Sequence, residues 1–196
     1  MSSTSTENLP PQTLSRIMRE VGKLNLASKQ QAVEGISFIF NEKDICDIQA
    51  DIQGPPGTPY EGGVFRCRLV VGRDYPSAPP KGFFATKIFH PNVAVGSGEI
   101  CVNTLKKDWQ PELGLWNVLQ SIRCLLIMPF PESGLNEEAS RLCIESYDEY
   151  FKRASLFTRV HAPAVATTPV TTVTTEGGEP KLVKKPSTTK AALRRL

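Results

Sequence analysis

The chain has 196 residues, of which 40% are hydrophobic, and its formal net charge is +3 at pH 7. This length suits one folded domain of ordinary size with a tail, and so small a net charge does not indicate a nucleic-acid partner. Five cysteines, an odd number at irregular spacing, cannot form a complete disulfide set and favour a reducing compartment, the cytoplasm or nucleus.

Metal sites and membrane segments are not indicated. The chain has two histidines, His90 and His161, and no C-x-x-C pair, so we predict no bound metal. The first residues are polar and lack the apolar stretch of a secretory signal, and no apolar run is long enough to span a membrane. We predict that residues 1–8, rich in Ser and Thr, are disordered.

A first helix is predicted after Pro10, because proline suits the first turn of a helix. Apolar residues then recur at helical spacing, and they are Leu14, Ile17, Met18, Val21 and Leu24. Basic residues lie on the other side of this helix: Arg16, Arg19 and Lys23. An ordinary solvated face would have the same pattern.

Four strands follow, rich in β-branched and aromatic residues with partial alternation. They are predicted at Ile36–Phe40, Cys46–Ile52, Val64–Val71 and Gly82–Ala85. Because the connections are short, the strands form an antiparallel meander, with the last strand at an edge.

The stretch from His90 to Trp109 carries the candidate chemistry. Cys101 offers a thiol, whose thiolate is a strong nucleophile able to carry an acyl group. Asn92 offers an amide N–H of the kind that stabilises an acyl-transfer oxyanion. Two plainer interpretations stay open, since a single Cys after Ile is often a small buried residue and Asn after Pro often forms a turn.

A second helix is predicted after Trp109, with an apolar face of Leu115, Val118, Leu119, Ile122, Leu125 and Leu126. Its opposite face holds Asn117, Gln120, Ser121 and Cys124. Pro129 and Pro131 end this helix, and Asn136 caps a third one that continues, with a break, to about His161. Composition then changes, so residues 162–196 are predicted to be a flexible basic tail.

These motifs together resemble one family. The series H-P-N, G-E-I-C, W-x-P and L-L-x-x-P-x-P-x-S-x-L-N is similar to the catalytic core of ubiquitin-conjugating enzymes, over residues 9–161. The resemblance implies an α+β fold with an N-terminal helix, a four-stranded antiparallel meander, a catalytic loop and two to three C-terminal helices. The terminal L-R-R-L resembles S-type members, which extend chains through ubiquitin's eleventh residue, a lysine, together with the anaphase-promoting complex in cell-cycle proteolysis.

The resemblance implies roles for the residues of the candidate site. Cys101 would hold ubiquitin as a thioester, and Asn92 would stabilise the oxyanion or support the loop that does so. His90 and Pro91 would shape that loop. The spacing between Asn92 and Cys101 is one residue longer than is usual in the family, which leaves the loop geometry open.

Many family members place an Asp at the entrance to the site. We call this segment the gate, and here it is residues 129–136, P-F-P-E-S-G-L-N. Here that position is Ser133, whose hydroxyl cannot replace the charge of a carboxylate. Leu135 matches the apolar gate residue of the family. Glu137 is the nearest acidic alternative, although a first-turn helix role explains it equally well.

Partner surfaces are also implied by the resemblance. The basic side of the first helix would meet the ubiquitin-activating enzyme, and the polar face of the second helix would hold the donor ubiquitin. Leu193, Arg194, Arg195 and Leu196 would dock on the anaphase-promoting complex. No cofactor would be bound, because ATP is consumed by the activating enzyme, and neither nucleic acid nor membrane would be a partner.

Two alternatives stay open at this point. One is that the chain conjugates another ubiquitin-like modifier. The other is that it is an inert scaffold that works through its tail. The presence of both Cys101 and Asn92 argues against a catalytically inert core, whereas action through the tail stays open.

Overall fold

The computed structural model describes residues 9–29, 35–41, 44–101, 105 and 109–163. The elements in chain order are α1 (Pro11–Lys29), β1 (Ile36–Ile39), β2 (Ile48–Gln53), β3 (Val64–Val70), β4 (Lys81–Phe84), α2 (Gly114–Ile127), a short 3-10 turn (Pro131–Ser133), α3 (Glu137–Glu145) and α4 (Tyr147–His161). This order confirms the predicted α+β fold. The predicted disordered segment 1–8 and docking tail 193–196 lie outside the described residues.

The four strands form one antiparallel sheet in the order β1-β2-β3-β4. Alternation along β3 shows why one face turns inward: Phe65, Cys67 and Leu69 are fully buried, whereas Arg66 and Arg68 between them are exposed. Successive side chains of a strand point to opposite faces, so the apolar set covers the core and the arginines meet solvent. The predicted meander and its edge strand are confirmed.

Helix α1 packs on this core through Ile17, Val21 and Leu24. Met18 was expected on the same face, but 54% of its surface is exposed, so that prediction was wrong. Residues three and four apart share a helix face, and Ile17, Val21 and Leu24 already fill it, which leaves Met18 at its solvent edge.

The apolar face of α2 agrees with the prediction, because Leu115, Val118, Leu119, Ile122, Leu125 and Leu126 are all buried. Cys124 is exposed on the other side, as expected. Burial of this face holds α2 against the sheet, so its polar face and its C-terminal end at Ile127 are fixed relative to the strands. No helix in the described part of the chain is long and apolar enough to cross a membrane.

Asn136 caps α3, since its Oδ1 accepts from Ala139 N at 3.1 Å. The predicted break falls at Ser146, between α3 and α4. The ordered core extends two residues past His161, because Ala162 is 2% exposed and its carbonyl accepts from Val64 N at 3.0 Å.

Candidate active site

Cys101 lies at the end of a short hairpin that begins at Asn92. The carbonyl of Asn92 accepts from Cys101 N at 2.9 Å, and Ala94 N donates to Glu99 O at 2.9 Å. Gly98 turns the chain back with φ of 71°, a conformation that favours glycine. Residues 95–97 form the exposed tip of the hairpin, and the pairing beside Cys101 is regular.

The other cysteines lie elsewhere. Burial raises the pKa of Cys46 and Cys143, and it raises the pKa of Cys67 to about 12. A thiol that stays protonated is a poor nucleophile. Cys124 is exposed on α2, and Cys101 is itself buried, with 6% of its surface exposed. Its place beside Asn92 is what distinguishes Cys101 from the other cysteines.

The side chain of Asn92 is fully buried and joins the hairpin to the gate. Its Nδ2 donates to Phe130 O at 2.7 Å and to Ser133 O at 3.2 Å, and its Oδ1 accepts from Phe130 N at 2.9 Å. Both amide hydrogens are thereby engaged. Of the two roles left open by the sequence, this arrangement favours support of the loop, because donation to an oxyanion requires breaking one of these bonds.

His90 and Pro91 directly precede Asn92 and also hold the hairpin and the gate in place. His90 is fully buried, its Nδ1 accepts from Asn92 N at 3.0 Å, and its Nε2 lies 2.9 Å from Leu125 O. Because Nδ1 accepts, the proton is on Nε2 and donates to Leu125 O. Burial lowers the pKa of His90 to about 4, so the ring is neutral at physiological pH and acts as a fixed connector to α2.

The gate is held on the other side by Pro91. Its carbonyl accepts from Leu135 N at 2.8 Å and from Asn136 N at 3.0 Å. Ser133 is exposed at the end of the 3-10 turn, and Leu135 is 45% exposed. The gate therefore presents a hydroxyl and an apolar side chain to solvent.

Glu137 is exposed in the first turn of α3. There its negative charge is favourable, because the N-terminal end of a helix carries a partial positive charge. The geometry thus accounts for Glu137 as a helix residue and leaves a further role as a prediction.

Tyr60 is a supporting residue that the sequence analysis missed. It is 1% exposed, and its hydroxyl donates to Phe89 O at 2.9 Å and lies 2.6 Å from the hydroxyl of Tyr150. Phe89 directly precedes His90, so Tyr60 connects the catalytic stretch to α4. The available signal was an aromatic residue inside a loop otherwise dense in Gly and Pro.

The polar face of α2 borders a groove of about 540 Å³. Asn117, Gln120, Ser121 and Cys124 line it, as the sequence placed them together. The groove is also lined by apolar residues that the sequence did not single out: Leu113, Ile127, Met128 and Phe130. Of these, Ile127 is 51% exposed and Met128 is 66% exposed, so the surface of the groove is partly apolar.

The basic side of α1 divides into two parts. Arg19 and Lys23 are exposed, and their predicted contact with a partner stays a prediction. Arg16 instead forms an ion pair with Glu20 and donates from Nη2 to Pro111 O at 2.9 Å. Arg16 therefore connects α1 to the segment before α2, and its prediction as a contact residue is not tested by this arrangement.

Glu20 extends that connection. Its Oε2 accepts from the hydroxyl of Tyr75 at 2.6 Å and from Leu115 N at 2.8 Å. One partly buried carboxylate thus ties α1 to the first turn of α2. Among the described residues no cluster of His, Cys, Asp and Glu has the arrangement of a metal site.

Comparison with known proteins identifies those to which this chain is similar. The family model described as "Ubiquitin-conjugating enzyme" matches residues 16–158. The chain is 58% identical over 160 residues to "Ubiquitin-conjugating enzyme E2 S" of Nematostella vectensis, covering 82% of this chain and 76% of that protein. It is 56% identical over 159 residues to the protein of the same name from Xenopus tropicalis, covering 81% and 73%. The structure is similar to the E2 domain of a Toxoplasma gondii ubiquitin conjugating enzyme, with a TM-score of 0.65, 36% identity and coverage of 76% and 98%.

Proposed function

The chain belongs to the ubiquitin-conjugating enzyme family, and we propose that Cys101 carries the ubiquitin thioester and that the chain extends ubiquitin chains through ubiquitin's eleventh residue, a lysine. Membership makes the protein a transferase with a thioester intermediate, whose partners are ubiquitin and the activating enzyme. Three points go beyond membership and form the proposal: the assignment of Cys101 as the thioester carrier, the linkage of the chains, and the ligase that recruits the enzyme.

The reaction has two acyl-transfer steps. The thiolate of Cys101 attacks the thioester carbonyl of ubiquitin held by the activating enzyme, and the thiolate of that enzyme leaves. The neutral amine of an acceptor lysine then attacks the new thioester, Cys101 leaves as thiolate, and the amine gives up a proton to form the amide. ATP is used by the activating enzyme, so this chain needs no cofactor of its own.

The observation that supports Cys101 most directly is its pairing with Asn92, whose side chain holds the gate. The nucleophile and the segment that the acceptor must pass are thereby fixed to one hairpin. Correct placement of two reacting groups accounts for a large part of enzymatic rate enhancement. We assign His90, Pro91 and Asn92 to this placement.

The chemistry at the gate bears on linkage. An unperturbed lysine has a pKa of about 10.4 and is almost entirely protonated at pH 7. Ser133 supplies no carboxylate to accept its proton. We assign part of that task to an acidic residue of the acceptor ubiquitin, so that only a lysine with such a neighbour reacts well at neutral pH.

The polar and apolar residues around the groove on α2 suit the donor ubiquitin, because protein interfaces combine an apolar centre with a polar rim. Arg19 and Lys23 suit the activating enzyme. Similarity to proteins named E2 S and the terminal L-R-R-L support recruitment by the anaphase-promoting complex, in the cytoplasm and nucleus, through Leu193–Leu196. Those four residues lie outside the described part of the chain.

A charging assay tests the proposal. The full chain is incubated with activating enzyme, ATP and, in separate reactions, ubiquitin or other ubiquitin-like proteins, and the products are separated without reducing agent. We expect a thiol-sensitive adduct with ubiquitin that is absent for Cys101→Ala. An adduct with another modifier alone would identify a different modifier pathway.

The linkage is tested by mass spectrometry of free chains made with the charged enzyme. We expect linkage mainly through ubiquitin's eleventh residue, and loss of chain formation when that lysine is replaced by Arg. Equal use of several lysines would contradict the proposed linkage and leave the conjugating activity itself in place.

A further inference from the structure

The gate contains a glycine whose backbone does not require glycine. Gly134 has φ of −73° and ψ of 142°, an extended conformation open to every residue type. Its N–H donates to Pro131 O at 3.2 Å, which any residue except proline can do. Conformational freedom therefore does not explain the presence of glycine between Ser133 and Leu135.

Limited space explains it. A Cβ at Gly134 would overlap the Oγ of Ser140, and it would lie 3.0 Å from the Cβ of Ser140 and 3.1 Å from the carbonyl oxygen of Pro131. Nonbonded carbon atoms pack at about 3.5–4.0 Å. Rotation of the Ser140 hydroxyl would remove the first overlap but not the second, because the Cβ moves only with its helix. Ser140 is held in that helix by its N–H, which donates to Asn136 O at 2.9 Å.

The hydroxyl of Ser140 has no evident bonding role. Its Oγ is buried and finds no hydrogen-bond partner within the described part of the chain. A buried hydroxyl without a partner is unfavourable, so hydrogen bonding does not account for serine here. What the side chain does supply is volume against the backbone of Gly134.

This contact fixes the gate from a second side. The carbonyl of Ser133 and the N–H of Leu135 are held by Asn92 and Pro91 respectively, so the hairpin holds the residue before Gly134 and the residue after it. Ser140 on α3 meets Gly134 itself. The gate is therefore contacted by the hairpin through the two neighbours of Gly134 and by α3 through Gly134 itself.

We propose that Gly134 and Ser140 are a size-matched pair that positions the gate, and through it the acceptor lysine, relative to Cys101. The inference rests on the proposed function of the gate. Gly134 and Ser140 are positioning residues, since the gate residues that meet the acceptor are Ser133 and Leu135.

The experiment is single-turnover discharge of charged enzyme onto acceptor ubiquitin. The variants are Gly134→Ala, Ser140→Ala and Ser140→Gly, singly and in the two double combinations, and all are measured at a temperature at which each is folded. A misplacement of about 1 Å can cost about a hundredfold in rate, so we expect Gly134→Ala to discharge roughly ten- to a hundredfold more slowly while thioester formation stays normal.

Removal of volume at Ser140 should restore the rate in steps. In the Gly134→Ala background, Ser140→Ala removes the Oγ overlap and leaves the close approach of the two Cβ atoms, whereas Ser140→Gly removes both and leaves only the 3.1 Å approach to Pro131 O. We expect discharge to rise in that order, and the double variant with Ser140→Gly to come within about threefold of Ser140→Gly alone. That single variant is the matched control, because glycine inside a helix is destabilising by itself.

Linkage is the readout that stability alone would not change. With the wild-type gate opposite it, Ser140→Gly leaves a gap, and we expect its rate to hold within about threefold while the share of the preferred linkage falls. Restoration of the melting temperature in the double variant without restoration of rate would overturn the proposal. Discharge at the wild-type rate by Gly134→Ala would also overturn it. If Gly134→Ala does not fold, an unchanged share of the preferred linkage in Ser140→Gly would overturn it.

The proposed function is tested by separate arms of the same experiment. If the wild-type chain does not charge on Cys101, or if Leu135→Ala discharges as fast as wild type, the assignment of the site or gate fails whatever the pair does. If both arms behave as expected and the double variant is not rescued, only the size-matched pair is wrong.

Discussion

The side-chain amide of Asn92 pairs with the main chain of Phe130 in both directions, donating to its carbonyl at 2.7 Å and accepting from its N–H at 2.9 Å. The two residues are 38 positions apart in the chain. One side chain thereby replaces the backbone pairing that the irregular segment after α2 lacks, and it sets where the gate begins relative to Cys101.

We expect Asn92→Asp to lower both stability and transfer rate. The carboxylate keeps an acceptor for Phe130 N but faces two carbonyl oxygens, of Phe130 and Ser133, with no proton to donate. Loss of partners for buried polar groups costs about 1–3 kcal/mol, measurable by urea unfolding, and discharge should slow with it. Reduced discharge at unchanged stability would instead indicate that Asn92 acts on the oxyanion.

The nucleophile is tested by Cys101→Ser, which should trap ubiquitin as an oxyester that survives reducing agent, because an alkoxide is a much poorer leaving group than a thiolate. The matched control is Cys124→Ser, which changes an exposed thiol on α2 and should leave charging intact. A thiol-labile adduct on Cys101→Ser would mean that another cysteine carries ubiquitin.

Burial of His90 leads us to expect a specific dependence of folding stability on pH. Its pKa of about 4 in the folded chain lies below its ordinary value of 6.5, so the unfolded chain binds the proton more readily. The contribution of neutral His90 is fully present above pH 6.5 and is lost as pH falls from 6.5 toward 4, by up to about 3 kcal/mol. Urea unfolding at several pH values should show this slope.

The control for that slope is His90→Gln, whose neutral amide can donate toward Leu125 O but does not titrate. Its overall stability will be lower, so the comparison is between slopes from pH 6.5 to 5. Equal slopes for the two proteins would show that other groups cause the acid sensitivity.

The two parts of the basic face of α1 should behave differently. Arg19→Ala with Lys23→Ala removes exposed charges worth about 0.2–1 kcal/mol each, so the KM of charging should rise roughly two- to thirtyfold, less at high salt. Arg16→Ala should mainly lower the melting temperature, since it removes the partner of Glu20 and the bond to Pro111 O. A larger KM effect for Arg16→Ala would reverse this assignment.

Deletion of Leu193–Leu196 should separate recruitment from chemistry. The described core is built from residues 9–163, so we expect normal thioester formation and thermal stability but lost binding to the anaphase-promoting complex in a pull-down. The control Lys184→Ala with Lys185→Ala removes the same number of charges from the tail and should still bind. Equal binding by the deletion variant would refute the docking role.

Patterns of short range in the chain predicted the elements well. The buried face of α2 follows from its helical spacing, and the cap at Asn136 follows from its position before two glutamates. Alternation located β3, since Phe65, Cys67 and Leu69 repeat with the period of a strand. Each of these depends on neighbours within one turn or one strand, where sequence spacing and spatial distance are linked. Motifs along the chain likewise placed Cys101 and Asn92 in one site.

The roles of the side chains were decided only by tertiary contacts. Asn92 offers the same amide whether it serves an oxyanion or a loop, and its choice depends on Phe130, far along the chain. Arg16 matches its basic neighbours in sequence but is paired with Glu20. Gly134 reads as an ordinary turn residue until Ser140 is found against it. Sequence fixes which groups a residue can offer; folding decides which partners lie within bonding distance, and those partners determine how the groups are used.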